Sequence, residues 1–435
     1  MDVQYKIAVV GLWHLGEVYS ACLAELGHTV IGIAEDSALV ANFQKNIPPL
    51  AEPRLAELLE SNQKSGRLSY TADYSKVKEC NVVWFTFDTP VDDEDEVNLS
   101  PVWDALQKAI PHLENGVVVA VSSQLPVGTS KQIIEKIKAA RPELQFSYFY
   151  SPENLRLGDA VRCFMEPGRI VIGADSRGAL DAANNIFSKL NAEIITMKTA
   201  SAEMAKHAMN AWLATSISFT NDIADICERN GADVEDVVRA LKAEPRVGPK
   251  AYLFAGLGFS GGTLGRDLKA LLAAARHDRI ELPIVSGAYV KNRNRNDIVL
   301  ARLRQCFGEV QGKTIAIFGI TYKPGTPTLR RSQPLEIEAE LRAAGAVLRL
   351  SDPLAVAEEV AARTPSPLFR DPYEAAQGAD AALVLTPDPK LRDLDFLKLK
   401  TVMRTPVLFD AQNILISKEA DIKSAGFTYL SIGRR

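Results

Sequence analysis

The sequence predicts an α/β protein: two Rossmann-like doubly wound domains joined by a central helical domain. Three observations carry this expectation. Tyr5 to Val10 is a short apolar run with β-branched residues, followed by the turn Gly11-Leu12-Trp13-His14-Leu15-Gly16, a helical pattern through Leu26, and a second strand pattern from Thr29 to Ile33. Ser201 to Arg229 is a long helical pattern without Gly or Pro. Strand–helix alternation then restarts at Thr314. A chain of 435 residues exceeds what one core needs. We divide it at 1–199, 200–310 and 311–435.

The first turn is an imperfect dinucleotide fingerprint. Gly11 and Gly16 keep the first and third glycine positions, while the middle one is Trp13. At the end of the second strand, where an acid ordinarily holds a ribose, stands Ala34, followed by Glu35 and Asp36. A dinucleotide would place its pyrophosphate over Leu12, Trp13, His14 and Leu15, where free N–H groups and the helix dipole favour anions. Trp13 must then turn its indole away, and Glu35 or Asp36 must supply the ribose contact. A Rossmann-shaped domain without cofactor is the alternative. The strand patterns 81–87 and 117–121 end in Asp88-Thr89-Pro90 and in the loop Ser122 to Thr129, which contains Gln124. Both loops would line the crevice beyond the carboxyl ends of the strands. The acidic run Asp92 to Glu96 reads as a solvated loop. Further strands are expected at Phe146 to Tyr150, before Ser151-Pro152-Glu153-Asn154-Leu155, and at Ile170 to Gly173.

On the long helix Lys206 and Asn210 share a face with Glu203 and Leu213; a solvated face explains them as well as a site does. Gly256 to Asp267 is rich in Gly, Ser and Thr between helical patterns, so its backbone can bend sharply and approach a ligand. The last domain shows strands at Thr314 to Phe318, Val347 to Leu350, Ala381 to Leu385 and Pro406 to Asp410, with a helix from Pro334 to Ala344. It has no Gly-x-Gly-x-x-Gly turn, and we expect it to hold part of another ligand rather than a second dinucleotide.

A net charge of −4 argues against a nucleic-acid or membrane-surface binder. No apolar run reaches ~18 residues, so no membrane span is expected. The N-terminus enters a strand pattern at once and leaves no room for a signal peptide. Five cysteines, Cys22, Cys80, Cys163, Cys227 and Cys306, lie scattered without a Cys-x-x-Cys pair, which reads as reduced thiols in a cytoplasm. Histidine and cysteine show no metal-ligand spacing, and no metal is expected.

Gly258-Phe259-Ser260-Gly261-Gly262-Thr263-Leu264-Gly265-Arg266-Asp267 resembles the active-site signature of the UDP-glucose/GDP-mannose dehydrogenase family, Gly-Phe-Gly-Gly-Ser-Cys-Phe-Pro-Lys-Asp. Further landmarks stand in family order: Glu52-Pro53-x-Leu55, Thr89-Pro90, Pro126 to Thr129, Pro152-Glu153, Lys206-x-x-x-Asn210, Pro245 to Gly248, Lys323-Pro324, Arg330-x-Ser332 and Asp410-x-x-Asn413. The resemblance implies a homodimer built on the central domain, NAD as cofactor (with NADP as the alternative), and a nucleotide-sugar substrate.

The family oxidises a sugar CH2OH to a carboxylate in two hydride transfers, with a cysteine thioester between them. By resemblance Lys206 would stabilise negative oxygen, Asn210 would place sugar or water, Asp267 would take part in proton transfer, and Glu153 would handle water. Gly11, Trp13, His14, Leu15, Gly16, Glu35, Asp36, Thr89 and Gln124 would hold the cofactor. Leu155, Arg246, Phe259, Gly261, Lys323 and Arg330 would contact the nucleotide sugar, Arg246 across the dimer.

Four departures accompany the match: Thr263 for the nucleophilic Cys, Gln124 for a Thr, Leu157 for a second Glu, and the altered dinucleotide turn; Arg266 replaces Lys with charge kept. The resulting expectation is an NAD-dependent nucleotide-sugar dehydrogenase with altered or incomplete oxidation. The alternatives are a silent nucleotide-sugar-binding relative and full oxidation by a non-covalent route.

Overall fold

The apolar, β-branched runs become the inner strands of two sheets. The computed structural model describes residues 3–89 and 97–434, so the acidic run Asp92 to Glu96 lies outside the described residues. The chain divides into two units, Met1–Ala208 and Met209–Arg435.

The first unit carries an eight-stranded sheet in the order β3-β2-β1-β4-β5-β6-β7-β8. Its strands are β1 (Lys6–Val10), β2 (Thr29–Ile33), β3 (Leu68–Thr71), β4 (Val82–Phe85), β5 (Val117–Val121), β6 (Phe146–Tyr150), β7 (Ile170–Ala174) and β8 (Ile194–Met197). All neighbours are parallel except β6 and β7. Helices α1 (His14–Glu25), α2 (Ser37–Gln44), α3 (Leu55–Lys64), α4 (Ser100–Ala109), α5 (Thr129–Ala140), α6 (Ala160–Met165) and α7 (Arg177–Ile186) connect them. Every residue of β4 and β5 is buried, as a sheet covered on both faces requires. Trp84 anchors one face, with its ring centroid 5.4 Å from Tyr19 and 5.2 Å from Phe149, both edge-on.

Helix α8 (Thr199–Asn230) runs unbroken through Lys206, close to the expected 201–229 span. In the second unit α9 (Val234–Ala243), α10 (Gly262–Asp278), α11 (Pro283–Arg293) and α12 (Asp297–Phe307) precede a six-stranded parallel sheet, β11-β10-β9-β12-β13-β14. These strands are β9 (Thr314–Phe318), β10 (Val347–Ser351), β11 (Leu368–Phe369), β12 (Ala381–Val384), β13 (Val407–Asp410) and β14 (Thr428–Ser431), with α13 (Gln333–Ala343) between β9 and β10.

The strands that the sequence pattern did not reveal are β3, β8, β11 and β14. They are the four sheet edges. An edge strand is half exposed, so it carries no continuous apolar run for the eye to find. The turn after β9 also differs from a dinucleotide turn. Asp352, at the end of β10, takes the Ile320 and Thr321 N–H groups on its own carboxylate at 2.9 and 3.2 Å. That nest already holds an anion.

Candidate active site

In the first unit the sheet order reverses between β1 and β4, which opens a crevice beyond their carboxyl ends. Gly11 turns there with φ +98°. A Cβ on Gly16 would meet the Gly11 carbonyl oxygen at 1.7 Å, so α1 can pack this close to the turn only with glycine. The Thr86 hydroxyl donates to that same oxygen at 2.9 Å and fastens the end of β4 to the turn. Trp13 is the N-cap of α1 and brings no side-chain hydrogen bond to the first N–H groups. Its indole stands 51% exposed, turned outward as an approaching pyrophosphate requires. The cradle therefore fits a dinucleotide.

The ribose end is less even. Asp36 is committed as the N-cap of α2, accepting the Ala38 and Leu39 N–H groups at 2.8 and 3.2 Å. Glu35 is exposed and paired with Lys108 at 2.5 Å, which leaves it as the carboxylate able to swing to a ribose diol. His14 is not directed at the cradle; its Nε2 lies 2.8 Å from Glu52 Oε1. Glu52 also accepts the N–H groups of Gly158 and Ala160 at 2.7 and 3.0 Å, tying the segment after β6 to the loop before α3. Thr89 donates to the Gln124 carbonyl at 3.0 Å, and Phe87 N–H donates to the Ser123 hydroxyl at 2.7 Å, so the two crevice loops are laced together.

Sequence reasoning passed over Glu17. It is fully buried on α1, and no donor among the described residues reaches hydrogen-bonding geometry at either carboxylate oxygen. Burial, seconded by the charges of Glu52 and Asp88 and opposed by the Leu50 N–H, pushes its carboxyl up from 4.5 to about 8. Below pH 4.5 the group is neutral in both states and exerts no pH effect. Between 4.5 and about 8 the unfolded chain releases a proton that the folded chain keeps, so stability falls as pH rises, and above about 8 the loss is complete. The Glu17→Leu variant should therefore gain stability over wild type, by roughly 3 kcal/mol at pH 8 and by distinctly less at pH 5. Urea unfolding at the two pH values checks this. A gain that does not change with pH would show that the Glu17 carboxyl ionises in the folded chain as it does in the unfolded one.

The other end of this unit holds the basic group. Lys206, 7% exposed on α8, donates from Nζ to the Glu153 carbonyl at 2.6 Å and to its Oε1 at 3.2 Å. Glu153 Oε2 accepts the Leu155 N–H at 2.8 Å, which fixes the carboxylate at the base of the loop after β6. One turn earlier, Glu203 accepts the N–H groups of Gly128 and Ser130 at 2.6 and 2.7 Å. That carboxylate compensates the start of α5 and pins α8 to it. Of the two readings the sequence left open, a solvated face does not hold: Glu203, Lys206 and Asn210 are all within 7% exposure.

In the second unit Asn210 donates from Nδ2 to the fully buried Asp267. The glycine-rich segment before α10 is fixed rather than flexible. Asn292 on α11 takes the Phe259 N–H at 2.7 Å and donates to the Phe259 carbonyl at 3.0 Å. Asn221 and Arg295 clamp Gly256 through its N–H and carbonyl, at 3.0 and 2.8 Å. Gly261 N–H and the Ser260 hydroxyl both reach the Arg331 carbonyl at 3.0 Å, beside the exposed Arg330. Gly258 and Gly261 hold φ +93° and +82°; a Cβ would strike Asn292 at the first and the Tyr322 ring at the second. The helix then starts at Gly262, which leaves Thr263 exposed in its first turn. Lys323 lies over the Tyr322 ring, 5.5 Å from its centroid. Among the described residues Arg246 is exposed and bonds locally, donating to Glu244 at 2.7 Å. The clamps Asn221, Asn292 and Arg295 could not be found from the sequence, because they come from separate places in the chain: α8, α11 and the turn between α11 and α12. No group of His, Cys, Asp and Glu among the described residues could hold a metal.

Three family models match in chain order. They are the NAD binding domain of the UDP-glucose/GDP-mannose dehydrogenase family over residues 5–191, its central domain over 200–294, and its UDP binding domain over 316–417. A UDP-glucose 6-dehydrogenase of Bacillus subtilis is 34% identical over 432 residues, covering 99% of this chain and 93% of that one. A UDP-glucose 6-dehydrogenase of Rhizobium meliloti is 33% identical, covering 99% of each. Among solved structures, a UDP-glucose dehydrogenase from Pyrobaculum islandicum superposes with a TM-score of 0.89 at 26% identity, over 100% of this chain and 99% of that one.

Proposed function

Since the chain belongs to the UDP-glucose/GDP-mannose dehydrogenase family and is an NAD-dependent nucleotide-sugar dehydrogenase, we propose that it oxidises a CH–OH group of a UDP-hexose and stops at the carbonyl level. The observation that carries this reading is Thr263, a hydroxyl at the start of α10 where the family signature has a thiol. Bound NAD supplies the hydride acceptor. The protein's part is orientation and charge. Gly11, Gly16 and the N–H groups from Leu12 to Leu15 would hold the diphosphate, and Glu35 the ribose; Thr89 and Gln124 line the far wall.

Lys206 is the group to stabilise negative charge on the substrate oxygen, with Glu153 setting its position. Asp267, steadied by Asn210, would receive a proton. Phe259, Gly261, Lys323, Arg330 and Leu155 are the contacts we assign to the nucleotide sugar. A hydroxyl has no adjacent base in the segment and does not form the acyl-enzyme that sulfur forms. No other thiol takes its place: burial raises the thiols of Cys22, Cys80, Cys163, Cys227 and Cys306 alike.

Incubating the protein with a panel of UDP-sugars and NAD and weighing the products tests the reading. A product lighter by two hydrogens is expected. A uronate would overturn it.

We place the enzyme in the cytoplasm as a homodimer. The free cysteines suit a reducing compartment. Trp212, Phe219 and Ile226 stand 69%, 48% and 60% exposed at seven-residue spacing on α8, the seam of a helix packed on a second copy. No described helix is long and apolar enough to cross a membrane. Trp212→Glu with Ile226→Glu should convert a dimer to a monomer in light scattering; a wild-type monomer would refute the assignment.

A further inference from the structure

We propose that Asp88 is a resident competitor for the cofactor's diphosphate, occupying an N–H group at the start of α1 that the diphosphate needs. The Leu15 N–H, in the first turn of α1, donates to Asp88 Oδ2 at 3.2 Å. The N-cap Trp13 contributes no side-chain cap, so the carboxylate comes from the loop after β4, across the crevice. Its position is built. On one side the Thr86 hydroxyl holds the Gly11 carbonyl at 2.9 Å, and Phe87 N–H reaches the Ser123 hydroxyl at 2.7 Å. On the other the Thr89 hydroxyl holds the Gln124 carbonyl at 3.0 Å. Residues on both sides of Asp88 are therefore fixed, and the carboxylate is presented to the helix start.

A carboxylate and a diphosphate cannot share these donors. Both accept from the same N–H group, and the helix dipole favours whichever anion sits there. Glu52 adds a further carboxyl group close by, engaged with the His14 ring. Cofactor entry must therefore release Asp88 from the Leu15 N–H. The affinity for NAD is lowered by that exchange, and Asp88 is a residue that sets cofactor affinity rather than one that binds the cofactor.

The test is calorimetric titration of the full chain, freed of cofactor, with NAD alone. Asp88→Asn keeps the shape and removes the charge; it should bind NAD about tenfold more tightly, the scale of one charged hydrogen bond exchanged for a neutral one. Asp88→Ala should also tighten binding, and it serves if the Asn variant folds poorly. The gap between wild type and either variant should narrow as salt is raised, because the effect is a like-charge one. Unchanged or weaker NAD binding in both variants would overturn the proposal, as would a gap that salt does not alter.

Discussion

Wild-type protein turning over a UDP-hexose with excess NAD should release about one NADH per sugar consumed, and none of the product should be a carboxylate. The reason lies in where Thr263 sits. Gly258 and Gly261 bend the segment, Asn292 and Arg295 clamp it, and α10 begins at Gly262. A side chain in that first turn faces the positive end of a helix dipole. A thiol there would be pushed toward thiolate, whereas an alcohol starts many powers of ten from ionisation and stays protonated. Thr263→Cys therefore places sulfur where the scaffold is prepared to activate it, and the NADH ratio should rise toward two with some acid formed. Recovery should stay partial, because Gln124 and Leu157 still differ from the family pattern. Thr263→Ala should leave the ratio at one if the hydroxyl takes no part in the first oxidation. Reading NADH by absorbance against residual sugar by chromatography gives the ratio directly. A wild-type ratio of two with a uronate would mean that oxidation continues without sulfur.

The features that the sequence made visible are those written in contiguous residues. The turn at Gly11 to Gly16, the inner strands, the long helix and the segment ending in Asp267 each announce themselves by pattern or by spacing. Edge strands did not, because half their side chains face water. Charges that act across the fold were also hidden. Glu203 looks like an ordinary helix-surface acid, yet it holds the amides at the start of α5. Glu17 sits inside an apolar helical stripe, and only its burial shows it to be a stored cost. Asp88 reads as a loop residue until its oxygen is found on the Leu15 N–H. Asp36, one of two ribose candidates in the sequence, turns out to have its carboxylate engaged as a helix cap.

Lys206→Met should lower kcat by about 10²–10³-fold, the scale of losing one donor aimed at a developing oxyanion, with a far smaller change in KM. Met keeps the buried apolar stem of Lys206, so the loss reports the ammonium group and not a cavity. The pair geometry adds a stricter expectation. Glu153 receives two things at once, the Lys206 ammonium on Oε1 and the Leu155 N–H on Oε2, and its own carbonyl takes a second bond from the same ammonium. Glu153→Gln loses the charge but leaves the backbone carbonyl in place, so the lysine stays held at one of its two points. Its kcat should fall less than that of Lys206→Met. In the double variant the two effects should not add, because once the ammonium is gone the carboxylate has nothing left to position. Independent, additive losses from the two changes would instead mean that Glu153 acts on substrate or water by itself, and that its contact with Lys206 is packing. Unfolding midpoints of the three variants separate either outcome from damage to the fold, since a buried ion pair broken on one side destabilises by up to about 3–5 kcal/mol.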